Sequence, residues 1–445
     1  EQSTFMNGDV CVSRHVRLEK KLKIWRYRMK NILVAQSGGP TAAINATLAG
    51  VITCAYSSGQ VGRILGSCNG IQGVLEENFI DLREKVQSAQ DMDLLCQTPA
   101  AALGSCRLKL KESGQFEQII NVLRKNEINC FIYIGGNDSM DTVDQLSAYC
   151  AKNHIEDISI MGAPKTIDND LMGTDHCPGF GSAAKYIAAT FSELERDCHV
   201  YTMKAVTIVE VMGRNAGWLT AASALSRLGG GKGPNLIYLC ETDFDNDRFI
   251  EDVKQELENC DSVVVAISEG IKDKEGRYVS EQVQTSAVDN FGHSYIAGSA
   301  KVLENLVRDK IGCKVRSIEL NLMQRCAAHI ASATDIQESK MLGIKACQAA
   351  LEGETGKMAA VIRKSSTPYT VTYETVPVCN VANEEKKVPA DYITPDGHDV
   401  TDKMIEYLRP LIQGENQVLY ENGIPKHLVP VSYTHLRAHE TEADL

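Results

Sequence analysis

The sequence predicts an α/β protein of two or three domains, in which mostly parallel sheets are covered by helices on both faces. Short apolar runs alternate with segments of helical periodicity, the pattern of strand-crossover-strand units. Each apolar run ends in glycines or polar groups. A length of 445 residues allows roughly two or three domains at about 150 residues each.

The elements follow in order. "NILVAQSGGP" reads as a buried strand, Ile32 to Ala35, then a glycine turn, and Ile44, Leu48, Val51 and Ile52 follow at helical spacing. "CFIYIGGNDSMDTVDQL" repeats strand, glycine turn and helix, and "ISIMGAPKTIDND" is a strand ending in a polar loop. "SAAKYIAATFSELERD" puts Ile187, Phe191 and Leu194 on one helical face. "VTIVEVMGR" and "SVVVAISEG" are further apolar strands with polar ends. "SRLGGGKGPN" is the main glycine-rich loop, and "NVANEEKKVPADYITPDGHDV" reads as a surface connection near the C-terminal part. In parallel sheets, ligands bind beyond the carboxyl ends of the strands, where "SGG", "GGNDS", "PKTIDND", "MGR" and "SEG" all fall.

Composition narrows the class. Hydrophobic content of 43% and charged content of 23% suit a soluble globular chain, and no apolar run reaches about 18 residues, so no membrane span is expected. A net charge of 46 − 58 = −12 disfavours a general nucleic-acid binder. The fifteen cysteines are scattered, without a C-x-x-C pair, several inside apolar runs. They read as reduced, buried thiols of a cytoplasmic protein. The pattern begins at Met29, so residues 1–28 are expected to be a non-native or disordered extension. The break at "VSYTHLRAHETEADL" marks 431–445 as a non-native tail.

The strand-end motifs carry the chemistry. Ser37 to Gly39 form a turn that lets an anion approach backbone N–H groups at a helix start, although the turn is neither G-x-G-x-x-G nor a P-loop, and such turns are structural as often as not. "PKTIDND" is more specific: Lys165 and Thr166 stand beside Asp168 and Asp170, which alternation in an extended segment would point at one ligand, against the plain alternative of an acidic turn. Arg214, Arg316 and Arg325 beside strand-end motifs look like a phosphate clamp rather than solvated surface groups, and Glu269 could hold a neutral sugar hydroxyl. Base, cations and carboxylates together suggest phosphoryl transfer to a phosphorylated, hydroxyl-bearing substrate, a reaction that usually needs Mg²⁺ and no thiol.

"SGGPTAAINA", "ALGSCR", "GGNDS", "PKTIDND", "GTD", "VEVMGR", "SEG" and "MQR" occur in an order that resembles the 6-phosphofructokinase family, from Met29 to Pro430, about nine-tenths of the chain. The resemblance implies two three-layer α/β domains with the active site between them and fructose 6-phosphate as substrate. One domain would span 29–180 with part of 324–380, and the other 181–323 with part of 381–430. Asp168 matches the base that takes the proton from the sugar 1-hydroxyl. Thr166, Asp170, Met212, Gly213, Arg214 and Glu269 match positions that hold or shape the sugar-phosphate site. Arg316 and Arg325 match phosphate-binding arginines, Arg316 being lent by a neighbouring subunit of a homodimer or homotetramer. Gly39 and Arg107 match contacts to the phosphoryl donor.

Asp138 stands where ATP-using relatives carry glycine, in the path of the α-phosphate, and Lys165 stands where they often carry glycine. Together they resemble the pyrophosphate-dependent branch: the carboxylate would exclude ATP and the lysine would stabilise charge developing on pyrophosphate. For Asp138 the plain alternative is an acid favoured by a helix N-terminus. Ile71 is a third cue, falling where an aromatic often borders adenine. Three departures accompany the resemblance. Asn137 replaces the usual aspartate supporting Mg²⁺, which leaves the metal more to Asp138 and pyrophosphate. Ala205, next to Lys204, replaces a second interface-crossing arginine, and Leu322 replaces a polar residue before "QR". The remaining alternatives are ATP use on the same fold, a catalytically silent phosphosugar-binding subunit, and NAD or lipid kinases, which leave "PKTIDND" and "VEVMGR" unexplained.

Overall fold

A computed structural model describes residues 29–110, 113–200, 202–282 and 298–431. The readings of 1–28 and of 432–445 lie outside the described residues. Among the described residues, eleven strands form the two main sheets, apart from a short pair at Tyr420–Glu421 and Ile424–Pro425. β1 (Lys30–Gln36), β2 (Val61–Ser67), β3 (Phe79–Asp81), β4 (Cys130–Gly135) and β5 (Ser159–Pro164) join β10 (Lys357–Ser366) and β11 (Tyr369–Pro377) in the order β11-β10-β5-β4-β1-β2-β3. Pairing is parallel from β2 through β1, β4 and β5 to β10, and only β3 and β11 run antiparallel at the edges. β6 (Ala205–Val211), β7 (Leu236–Tyr238), β8 (Ser262–Ser268) and β9 (Lys314–Glu319) form an all-parallel sheet ordered β7-β8-β6-β9.

The period-2 pattern of the strands explains why both sheets are covered on both sides. Along β1, Ile32 and Val34 enter one core cluster while Leu33 and Ala35 enter another. Along β6, Val206 and Ile208 enter one cluster, and Val209 and Val211 the opposite one. The helices that supply the outer layers are amphipathic or wholly apolar as their depth requires. α1 (Ile44–Ser57) follows the first glycine turn, α2 (Asn137–Lys152) the second, and α3 (Phe180–Cys198) packs on the second sheet. α4 (Ala333–Leu351) returns to cross α1 at glycine pairs: a Cβ on Gly50 would meet the Lys340 carbonyl oxygen at 2.0 Å, and one on Gly343 the Thr47 oxygen at 2.0 Å.

The segment read as a surface connection is more than that. Val381, Val388, Ile393 and Val400 are buried, and residues 383–388 run along the cleft between the sheets. The physical reason is amphipathic: Glu384, Glu385 and Lys387 face the cleft while the flanking valines and isoleucine close the two cores. No helix among the described residues is long and apolar enough to cross a membrane. Fourteen described cysteines are free thiols, seven of them buried.

Candidate active site

A cleft of about 730 Å³ opens where the carboxyl ends of the parallel strands from both sheets converge. β1, β4 and β5 deliver Gly39, Asn137, Asp138, Lys165, Thr166, Asp168 and Asp170, and β6 and β8 deliver Met212, Arg214 and Glu269. The crevice beyond the strand ends of α/β sheets is the expected place for a ligand, because backbone N–H groups of strand-to-helix turns point there.

The first glycine turn is shaped by two cations. Gly38 has φ +77°, and a Cβ on it would come within 3.1 Å of Lys165 Nζ. A Cβ on Gly39 would come within 3.2 Å of the Arg325 guanidinium. Lys165 is only 2% exposed and donates to the Gly39 carbonyl at 2.5 Å. Burial pulls its ammonium down to about 8, against the pull of Asp168 and Asp170. Above the turn, Ser105 Oγ donates to the Gly38 carbonyl at 2.7 Å and Ser37 Oγ to the Cys106 carbonyl at 3.3 Å. These bonds fix the loop that brings Arg107 to the cleft wall.

The two carboxylates of "PKTIDND" both line the cleft, but not through extended alternation. Asn169 between them is left-handed, with φ +56°, a conformation asparagine tolerates better than most residues. Thr166 Oγ1 accepts from the Asp168 N–H at 3.0 Å. Burial and the neighbouring Asp170 push Asp168 up to about 7, with Lys165, Arg214 and Arg325 pulling back. Asp170 is also raised, chiefly by burial, and accepts from Asn137 Nδ2 at 3.1 Å. On the opposite wall, Glu269 is pushed up to about 8 by burial and by Asp168, and accepts weakly from the Gly213 N–H at 3.3 Å. Gly213, with φ +134°, has the Ala216 oxygen 2.5 Å from where a Cβ would sit, so the turn that presents Arg214 closes only with glycine. Gln324 accepts from the Met212 N–H at 3.2 Å and ties that turn to the helix carrying Arg325.

Asp138 lies in the first turn of α2, as its dipole favours, and also pairs with Lys109 at 3.0 Å, both side chains nearly half exposed. Two sequence-predicted residues lie elsewhere. Arg316 is exposed on the edge strand β9, in a small recess with Asp197 and Lys314, outside this chain's cleft. Ile71 is fully buried in the core beneath the turn and does not line the cleft. Sequence reasoning missed Lys109 and the strap Asn383–Lys387, whose Asn383, Glu384, Glu385 and Lys387 form a cleft wall. The signal for the strap was its dense charge, "NEEKK", between buried valines.

The oxygen donors fit a hard divalent ion. Asn137 Oδ1 and Asp170 Oδ1 are buried without a hydrogen-bond partner, and the Asp138 carboxylate opens on the same cleft. Such a set suits Mg²⁺, which takes carbonyl and carboxylate oxygens and usually retains substrate oxygens and water.

Known proteins resemble this chain in sequence and fold. The Phosphofructokinase family profile matches residues 31–350. The chain is 40% identical over 405 residues to a pyrophosphate--fructose 6-phosphate 1-phosphotransferase of Halomonas elongata, covering 89% of this chain and 95% of the relative. It is 41% identical over 405 residues to the protein of that name from Xanthomonas campestris, with the same coverage. The crystal structure of a pyrophosphate-dependent phosphofructokinase from Marinobacter aquaeolei superposes with a TM-score of 0.80 at 37% identity, covering 90% of this chain and 96% of that one. With its motifs at the strand ends of two α/β sheets and matches of this extent, the chain belongs to the phosphofructokinase family.

Proposed function

We propose that this chain moves a phosphoryl group from pyrophosphate to the 1-hydroxyl of fructose 6-phosphate, giving fructose 1,6-bisphosphate and phosphate, reversibly. The observation that carries the donor assignment is the joint placement of Asp138 and Lys165 on the cleft that also holds Asp168. Relatives at 40% and 41% identity bear the corresponding name.

Asp168 takes the proton of the sugar 1-hydroxyl as its oxygen attacks the outer phosphorus of pyrophosphate. The bond from that phosphorus to the bridging oxygen breaks, and phosphate leaves with the negative charge. Lys165, held against the Gly38–Gly39 turn, faces that developing charge. Arg107 and the N–H groups around Gly39 bind the donor. Thr166, Asp170, Met212, Gly213, Arg214, Glu269 and Arg325 hold the sugar phosphate, and Arg316 reaches it from a neighbouring subunit of a homodimer or homotetramer. Asn137 and Asp138 would hold Mg²⁺, which when bound neutralises pyrophosphate oxygens. The first sheet with α1, α2 and α4 serves as the donor side and the second sheet with α3 as the sugar side, the strap joining them. The buried thiols support a reducing, cytoplasmic compartment.

The test is a donor comparison. With fructose 6-phosphate and Mg²⁺, kcat/KM for pyrophosphate should exceed that for ATP by orders of magnitude. ATP equal to or better than pyrophosphate would overturn the donor assignment and leave the family intact.

A further inference from the structure

The strap at 383–388 ties together elements from both sides of the cleft. Asn383 Nδ2 donates to Asp141 in α2 at 3.1 Å, and Asn215 Nδ2, just past Arg214, donates to Glu385 at 2.8 Å. Glu385 forms an antiparallel bridge with Leu171, and the Lys386 N–H donates to the Asp170 carbonyl at 2.7 Å. The Val388 N–H is fixed by Glu241 at 2.9 Å. The strap is therefore hydrogen-bonded directly onto the end of the loop that carries Asp168 and Asp170.

Lys386 sits at its centre and points inward. Its Nζ donates to the carbonyls of Asp175 at 2.6 Å and Thr174 at 3.2 Å, and reaches Asn169 Oδ1 at 3.4 Å. The Lys386 carbonyl accepts from Trp218 Nε1 at 2.9 Å, and its ammonium lies 5.4 Å from the centre of that ring. Asn169 is the left-handed residue between the two carboxylates. Its Oδ1 also accepts from the Cys177 N–H at 3.0 Å, and its Nδ2 donates to Tyr407 OH at 2.9 Å, which in turn donates to the Asp175 carbonyl at 2.7 Å. One ammonium thus gathers the acceptors that close the loop behind the cleft, while Lys386 itself does not line it.

We infer that Lys386 is a positioning residue for phosphoryl transfer, its ammonium locking the turn at Asn169 that aims Asp168 and Asp170 into the cleft. The inference rests on the reading of Asp168 as the base. A base displaced by about 1 Å can lose about 10²-fold in rate, whereas substrates held by other residues keep their affinity. Lys386 should therefore act on kcat and hardly on KM.

The experiment compares Lys386→Met, Lys386→Arg, Asn169→Gly and Asp168→Asn in the full chain. Kinetics with pyrophosphate and fructose 6-phosphate are measured beside the thermal midpoint. Lys386→Met preserves length and contact with Trp218 but removes the charged donor. Its kcat should fall by about 10- to 100-fold, with both KM values within about threefold of the starting enzyme, and Lys386→Arg should recover most of the loss. A kcat within about twofold of the starting enzyme overturns the inference, and so does a folded variant whose KM values rise in step with the loss of kcat. Failure of Lys386→Arg to recover kcat overturns it as well. If Lys386→Met does not fold, Asn169→Gly decides: glycine permits the left-handed turn but removes the side chain that Lys386 holds. A loss confined to kcat supports the inference, and an unchanged kcat overturns it. Asp168→Asn separates the two readings, because a variant retaining kcat removes the base assignment whatever Lys386 does.

Discussion

Asp168 and Lys165 are driven toward neutrality by the same burial, and their ionisations consequently approach each other from opposite sides. Asp168 is pushed up to about 7 and Lys165 pulled down to about 8. The base works only when deprotonated, so activity is lost as pH falls through the Asp168 value. The lysine stabilises leaving phosphate only when protonated, so activity is lost as pH rises through the Lys165 value. For the free enzyme, kcat/KM for fructose 6-phosphate should trace a narrow bell between those limits, measured over about pH 5.5 to 9.5. A profile flat from pH 6 to 7 would show that Asp168 is ionised well below that range and does not set the acid limb. The residues in this argument were legible because their chemistry sits in contiguous strings at strand ends, where "PKTIDND" places a lysine and two carboxylates within six positions. Two features were not. Asparagine admits the left-handed region, but nothing local places Asn169 there, and the partners of its side chain, Tyr407, Cys177 and Lys386, lie far along the chain or across a turn. The Lys109–Asp138 pair joins a loop to a helix start across a glycine turn, so no spacing rule reports it.

At the scale of elements, the α1–α4 crossing links the first glycine turn to the C-terminal third. The contact is backbone to backbone at Gly50 and Gly343, so relief requires the helices to separate rather than a side chain to turn. Gly343→Ala should therefore destabilise by about 1–3 kcal/mol, even though alanine favours an isolated helix by about 1 kcal/mol over glycine. Denaturant unfolding measures the balance, and a rise in the unfolding midpoint would mean that the crossing has slack. The helices and strands that build this region follow from periodicity, which is why α1, α2, α3 and the strands after them could be read directly. The strap could not, because residues 383–388 have neither a helical nor a strand period. Its place is dictated by bonds to Asp141, Asp170 and Glu241, each more than 100 residues away.

The whole molecule is acidic, with a net charge of −12, and its cleft sets Arg107, Lys165, Arg214, Arg325 and Lys387 among the carboxyl groups of Asp138, Asp168, Asp170, Glu269, Glu384 and Glu385. Anionic substrates are therefore held there by individually placed cations rather than by a positive field over the whole cleft. Arg316 stands outside this arrangement. It projects from the edge strand of the second sheet, exposed, and the cleft of its own chain is lined without it. If it acts across an interface, each site combines Asp168 of one chain with Arg316 of another, and the two defects complement. Arg316→Ala and Asp168→Asn would each be weak as homo-oligomers, assayed at low fructose 6-phosphate. Co-expressed in equal amounts, a site is intact when its own chain carries Asp168 and its neighbour carries Arg316, each with a chance of one half. About a quarter of the sites, and so about a quarter of the normal activity, should return, whether the assembly is a dimer or a tetramer. Activity no greater than the average of the two homo-oligomers would show that Arg316 does not cross to a neighbour's site.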